Sequence, residues 1–114
     1  NAANVRVSKC GGLMAAINRC REALDAGMML QVGCQVGESS LLSAAQLALM
    51  CEVDGICYLE GCFGTHLLEE DPVSPMLQFG HGGKPPPVPS GHGLGVTMNH
   101  EYLMQCTTRC DEVA

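Results

Sequence analysis

Apolar and polar residues alternate at the start of the chain. In "NVRVSKC", Val5 and Val7 interleave with Arg6 and Ser8, which predicts a short strand running up to Lys9. From Leu13 the period lengthens. Leu13, Ala16, Ile17, Cys20 and Leu24 recur at helical spacing, with Asn18, Arg19, Arg21, Glu22 and Asp25 largely on the other side and Gly27 as a stop. "MMLQVGC" is almost wholly apolar, the pattern of a strand buried on both faces. "GESS" offers a helix start at Ser39 or Ser40 for the Leu- and Ala-rich "LLSAAQLALMCEV". "DGICYLEG" then reads as a turn and a third strand.

Strands alternating with helices predict an α/β fold built of parallel βαβ units. Lys9, Gly33 and Glu60 are expected to end successive strands, which suits a (β/α) barrel whose strand C-termini form the active face. An open doubly wound sheet fits the same order, although "VGCQVGES" lacks the G-x-G-x-x-G pattern of a dinucleotide site. Past Asp71 the character changes. "DPVSPMLQFGHGGKPPPVPSGHGLGV" holds all six prolines and predicts an irregular or extended segment, followed by a short helix starting at Asn99. One domain is expected, with residues 1–71 as the βαβαβ part and 72–114 as a Gly/Pro-rich return segment and short C-terminal helix.

Composition narrows the function. Net charge of −6 argues against a nucleic-acid partner, because phosphate neutralisation needs clustered Lys and Arg. No apolar run is long enough for a membrane span, and no signal-peptide pattern opens the chain. The eight cysteines include no C-x-x-C pair, and several sit at core-like positions such as Cys20 and Cys34. They read as buried reduced thiols rather than a disulfide framework or zinc site, which points to a reducing, cytoplasmic home. "GHGGKPPP" lacks the Ser or Thr of a phosphate loop, and its prolines prevent the helix such a loop needs. The four histidines form no H-x-x-x-H or H-E-x-x-H motif, and Glu69, Glu70 and Asp71 read as a solvated surface run.

Lys9 is the most suggestive single residue. It is one of only two lysines, Gly11 and Gly12 leave room beside it, and Val7, Cys10 and Leu13 give it a partly apolar setting. Such a setting lets a lysine act as a base near neutral pH. A solvent-exposed lysine at a strand end is the competing reading.

"SKCGG", "LQVGCQVGESSLLSAAQLAL", "LEGCFGTHLLEEDP" and "FGHGGKPPPVPSGHGLGV" together resemble the C-terminal portion of the enolase superfamily. The resemblance is to the mandelate racemase/muconate lactonizing branch, muconate-lactonizing-like subgroup, and covers nearly the whole chain in order. It implies strands six to eight of a modified TIM-type (β/α) barrel, with the tail returning to a capping domain. Lys9 would be the base that moves the proton α to a carboxylate. Gly33, Cys34 and Gln35 would border the substrate after the seventh strand and Glu60 after the eighth. Mg²⁺ would stabilise the enediolate in the full-length parent, with none bound to this chain.

Two departures from that family matter. The Asp-x-Asp pair that dipeptide epimerases carry on the eighth strand is replaced by Tyr58 and Glu60, and Glu38 stands one place beyond the Glu expected after the seventh strand. Glu38 is read as an acid at a helix N-terminus. The strands that would carry the metal ligands and a second lysine are not among these residues. The expected function is therefore a fragment of an enzyme acting on a small carboxylate by racemisation, epimerisation, cycloisomerisation or elimination, inactive as this chain alone. The alternative is a non-catalytic half-barrel module that self-associates. Open sheet edges predict a homo-oligomer, most simply a dimer, or association with a missing N-terminal half. The segment from Pro72 to Val96 is the one expected to cross between chains.

Overall fold

The computed structural model describes residues 1–110. Three short strands, β1 (Ala2–Val5), β2 (Met29–Val32) and β3 (Ile56–Leu59), form a parallel sheet in that order. A single helical turn, α1 (Val7–Cys10), and the longer α2 (Leu13–Asp25) join the first two strands; α3 (Ser40–Glu52) joins the second and third. Both long helices cover one face of the sheet. Val5, Leu30 and Val32 meet Ala16, Ile17 and Cys20 of α2 and Ala45 and Leu49 of α3 in one cluster. Leu30 and Leu49 are fully buried, and each contributes about 1.5–3 kcal/mol by leaving water.

The first strand is shorter than its alternation predicts. β1 stops at Val5, and Lys9 lies on α1 instead of at a strand end. Beyond Val5 the neighbouring chain leaves the ladder at Gly33, so the backbone of "VSKC" has no strand to pair with. It pairs locally instead. The amides of Lys9 and Cys10 donate to the Arg6 carbonyl at 3.0 and 3.1 Å. Gly11, at φ 87°, closes the turn in the left-handed region that glycine enters without strain.

β2 is covered on one face and not on two. Leu30 and Val32 are buried, Gln31 is half-buried and Met29 is half exposed. Register places Asn4, Gln31 and Tyr58 side by side on the face away from the helices. That face is bare, with Tyr58 60% exposed.

Part of the Gly/Pro-rich segment packs against its own chain. Leu77 and Phe79 join Cys34, Cys62, Ala44 and Leu47 in a second cluster against α3. Two short strands, β4 (Val73–Ser74) and β5 (Thr97–Met98), pair antiparallel, and α4 (His100–Cys106) follows with Asn99 as its N-cap. Asp71 is not a solvated surface acid. Its carboxylate accepts from the Ser40 amide at 2.9 Å and the Val73 amide at 3.2 Å, while the Ser40 hydroxyl accepts from the Leu77 amide at 2.8 Å. Ser39 makes no side-chain cap, so Asp71 caps α3 from a distant part of the chain and fixes where the tail begins.

Asp71→Ala removes that cap and the anchor of the tail together. Loss of about 1–2 kcal/mol is expected, read from the urea midpoint by circular dichroism, with Glu69→Ala in the adjacent exposed run as a near-neutral control.

Candidate functional site

Register decides what gathers at the strand C-termini. Val5 pairs with Val32 and Val32 with Leu59, so the residues that follow, Arg6, Gly33 and Glu60, emerge level with one another. The Gly33 amide donates to the Val5 carbonyl at 2.9 Å and the Glu60 amide to the Val32 carbonyl at 3.0 Å, extending the ladder by one step. Gly33 has no side chain, and its neighbours lean over it. A methyl group there would stand 2.5 Å from Glu60 Oε2, 3.2 Å from Arg6 Nε and against Asn4 Oδ1. Arg6 Nη2 lies 3.9 Å from Glu60 Oε2, and the Cys34 amide donates to the same carboxylate oxygen at 3.3 Å. With side chains 28% and 39% exposed, the pair places charge more than it adds stability.

A chain of hydrogen bonds runs beneath and beside this pair. Gln35 Nε2 donates to Ser8 Oγ at 3.0 Å, and Ser8 Oγ donates to Glu38 Oε1 at 2.6 Å. The Cys62 thiol faces Gln46 Oε1 at 3.1 Å and Glu38 Oε2 at 3.9 Å, and Gln46 Nε2 donates to the Gly33 carbonyl at 3.2 Å. Cys34 donates its thiol to the Gly61 carbonyl. Gly64 lets the Glu38 backbone approach so closely that a methyl group would collide with its carbonyl. Burial pushes the Cys62 thiol up to about 12; the Ser43 hydrogen bond opposes this, and negative charge at Cys34 and Glu38 adds to it. Burial also raises the Cys34 thiol, helped by the charges of Glu60 and Glu38. Neither is a nucleophile at neutral pH, since only the thiolate attacks.

Of the residues singled out in the sequence, Gly33, Cys34 and Glu60 come together, and Gln35 joins them through Ser8. Lys9 does not. It is exposed on α1, and among the described residues no ion pair or hydrogen bond holds its ammonium group. Arg6 has the strand-end position instead. Asn4, Arg6, Ser8 and Gln46 did not stand out in the sequence, and Glu38, read there as a helix-terminal acid, is buried against Ser8 and Cys62. One signal was available: "NVR", "QVG" and "YLE" are equivalent strand endings, which puts Arg6 beside Gly33 and Glu60.

All eight cysteines are free thiols: Cys20, Cys34 and Cys62 are buried, Cys10 is intermediate, and Cys51, Cys57, Cys106 and Cys110 are exposed. His66, His81, His92 and His100 are exposed. Among the described residues no helix is long and apolar enough to cross a membrane.

A mixed α/β protein with polar groups collected at the C-terminal ends of parallel strands is the class defined so far. The chain belongs to the enolase C-terminal domain-like family, matched over residues 1–102, in the mandelate racemase/muconate lactonizing branch of the enolase superfamily. The fold superposes on a dipeptide epimerase from Cytophaga hutchinsonii, whose crystal structure is complexed with Mg and the dipeptide D-Ala-L-Val. That match has a TM-score of 0.74 and 31% identity, over 91% of this chain and 27% of the other. An N-succinyl Arg/Lys racemase from Bacillus cereus ATCC 14579 matches with a TM-score of 0.69 and 25% identity, over 95% and 28%. The chain thus spans 27% and 28% of the length of these two structures. No curated protein matches it.

The residues present do not fit Mg²⁺. A hard cation needs several convergent oxygens, and among the described residues no three His, Cys, Asp or Glu side chains converge. The one strand-end carboxylate, Glu60, faces a guanidinium and a backbone amide.

Two glycines make a sharp contrast. Gly33→Ala meets the ends of movable side chains, so the unfolding free energy from urea titration should fall by less than about 1 kcal/mol while Arg6 and Glu60 are pushed apart. Gly64→Ala meets backbone, and a loss of more than about 2 kcal/mol is expected. Iodoacetamide at pH 8 should label Cys51, Cys57, Cys106 and Cys110 in the native protein, with Cys20, Cys34 and Cys62 labelled only in denaturant, as read by mass spectrometry. Because Cys62 holds its proton above its ordinary value of 9.0, its contribution to stability is complete below pH 9 and declines as pH rises toward 12.

Proposed function

We propose that this chain forms one wall of the active site of an enolase-superfamily enzyme that moves the proton α to the carboxylate of a small substrate, and that it is inactive alone. Its three strands would be the sixth to eighth of a (β/α) barrel. The observation that carries this reading is the placement of Arg6, Gly33 and Glu60 level at three parallel strand ends, with a glycine keeping the floor between the charged groups clear.

Arg6 would hold the substrate carboxylate. A guanidinium stays charged across the working pH range and presents paired donors that suit a carboxylate, but it cannot accept a proton. Proton transfer needs a group that exists in both states. Of the two cations that follow β1, only Lys9 can do so, and it remains the proposed base. Gly33, Cys34 and Gln35 would border the substrate, with Glu60 opposite Arg6. Dipeptide and N-acyl amino acid substrates, as named for the two structural relatives, set the size class. Mg²⁺ ligands in such a protein would lie on other strands, where metal charge would offset that of the enediolate.

A second reading rests on the bare sheet face. Met29 and Tyr58 are 50% and 60% exposed there, and β1 and β3 each have an unpaired edge. Such a surface is costly in water and favours association. Self-association as a non-catalytic half-barrel, or pairing with the rest of a barrel, would cover it.

Recovering the coding sequence upstream of Asn1 separates the two readings. An open frame with a strand-end lysine and three strand-end carboxylates supports the enzyme; a start codon beside Asn1 supports the module. In the longer protein, incorporation of solvent deuterium at the α-carbon of N-acyl amino acids and dipeptides is the assay. Lys9→Ala should abolish exchange, whereas Arg6→Ala should raise KM by about tenfold or more, as loss of one charged hydrogen-bonded contact implies. Exchange that survives Lys9→Ala would remove that residue as the base.

A further inference from the structure

Between the two long helices and the Gly/Pro-rich segment lies an open groove of about 550 Å³. No strand residue lines it, so it opens on the outer side of the helix layer. Met14, Ile17 and Arg21 recur at helical spacing and share one face of α2, while Cys51 and Glu52 reach the groove from α3. Ile17 is 4% exposed and forms part of the floor, whereas Met14 and Val88 stand 68% and 54% exposed at the rim. Arg21 and Glu52 are the only charged groups among its described lining residues, and both are exposed. Neither side chain has an ion-pair or hydrogen-bond partner among the described residues; Glu22, next to Arg21 in sequence, is taken by Arg19 at 2.7 Å.

Apolar groups exposed around a concave surface, with one unmatched charge of each sign, make a patch that complements itself. A two-fold axis there brings each cation to the acid of the other copy. Net charge of −6 sets copies of the chain against one another, which favours contact through a patch that is itself neutral. We propose that the groove is the face on which two copies of this chain dimerise, with Met14 of each seated in the groove of the other and Arg21 paired with Glu52 across the axis. The unbranched thioether side chain of methionine suits an irregular gap of this kind. A different partner carrying a single sign of charge would leave one of the two groups unmatched. The dimer leaves the strand ends and the bare sheet face uncovered, so it is independent of both readings of function.

Sedimentation velocity of the 114-residue chain across the micromolar range is the test, and a reversible monomer–dimer equilibrium is expected. Arg21→Glu or Glu52→Arg alone should weaken dimerisation about tenfold or more, because like charges then face each other twice. The two substitutions together should restore it to within about threefold of the original chain. Met14→Asp should weaken it as well. These side chains are exposed, so circular dichroism should show the fold unchanged in every variant. Tyr58→Ser should leave the equilibrium as it was, which separates the groove from the bare sheet face. Iodoacetamide should alkylate Cys51 more slowly as the protein is concentrated, with no such change at Cys57 or Cys106, which do not line the groove. A monomer at every concentration overturns the proposal. So does a dimer that Tyr58→Ser dissolves and Arg21→Glu does not, or a double variant that associates no better than either single one.

Discussion

The level pairing of Val5, Val32 and Leu59 is the constraint from which the rest of the site follows. Parallel strands keep their C-termini at one end, so whatever follows the last paired residue is delivered to a common place. Here those residues are a cation, a glycine and an acid. A slip of one residue in β1 would turn Arg6 to the helix-covered face and bring Val5 out of the core, because side chains alternate along a strand. Core packing therefore protects the site: Val5 and Val32 cannot stay buried unless Arg6 and Gly33 stay where they are.

The loops after the strands are held by side chains rather than by further sheet. Gln46, buried on α3, reaches the Gly33 carbonyl and meets the Cys62 thiol, tying the end of β2 to the segment after β3. Glu38 connects α1 to the same thiol through Ser8. The cysteines here act as small apolar side chains with weak donors, and their burial keeps them protonated. Asp71 extends the arrangement outward, because capping α3 also sets the path by which Leu77 and Phe79 reach the second cluster. Site and tail thus share α3 as their support.

The opposite face of the sheet has no such support. Asn4, Gln31 and Tyr58 make it more polar than the helix-covered face, with Met29 and Tyr58 the large exposed apolar groups. In a closed barrel that face would look inward, and its mixed character suits an interior built partly of polar contacts between strands.

Periodicity by itself determined the long helices, the parallel order of strands, the stop at Gly27 and the cap at Asn99, because each depends on residues close in sequence. It also marked Gly33 and Glu60 as strand ends. Three things it could not decide. The end of β1 depends on where β2 leaves the ladder, so "VSKC" winds into a turn although its alternation is that of a strand, and Arg6 takes the position given to Lys9. Whether "MMLQVGC" is covered on one face or two depends on how many layers surround the sheet. The buried placement of Glu38 and the capping by Asp71 arise from contacts across 24 to 31 residues of chain. Such contacts form only when packing brings distant segments together, and local pattern carries no record of them.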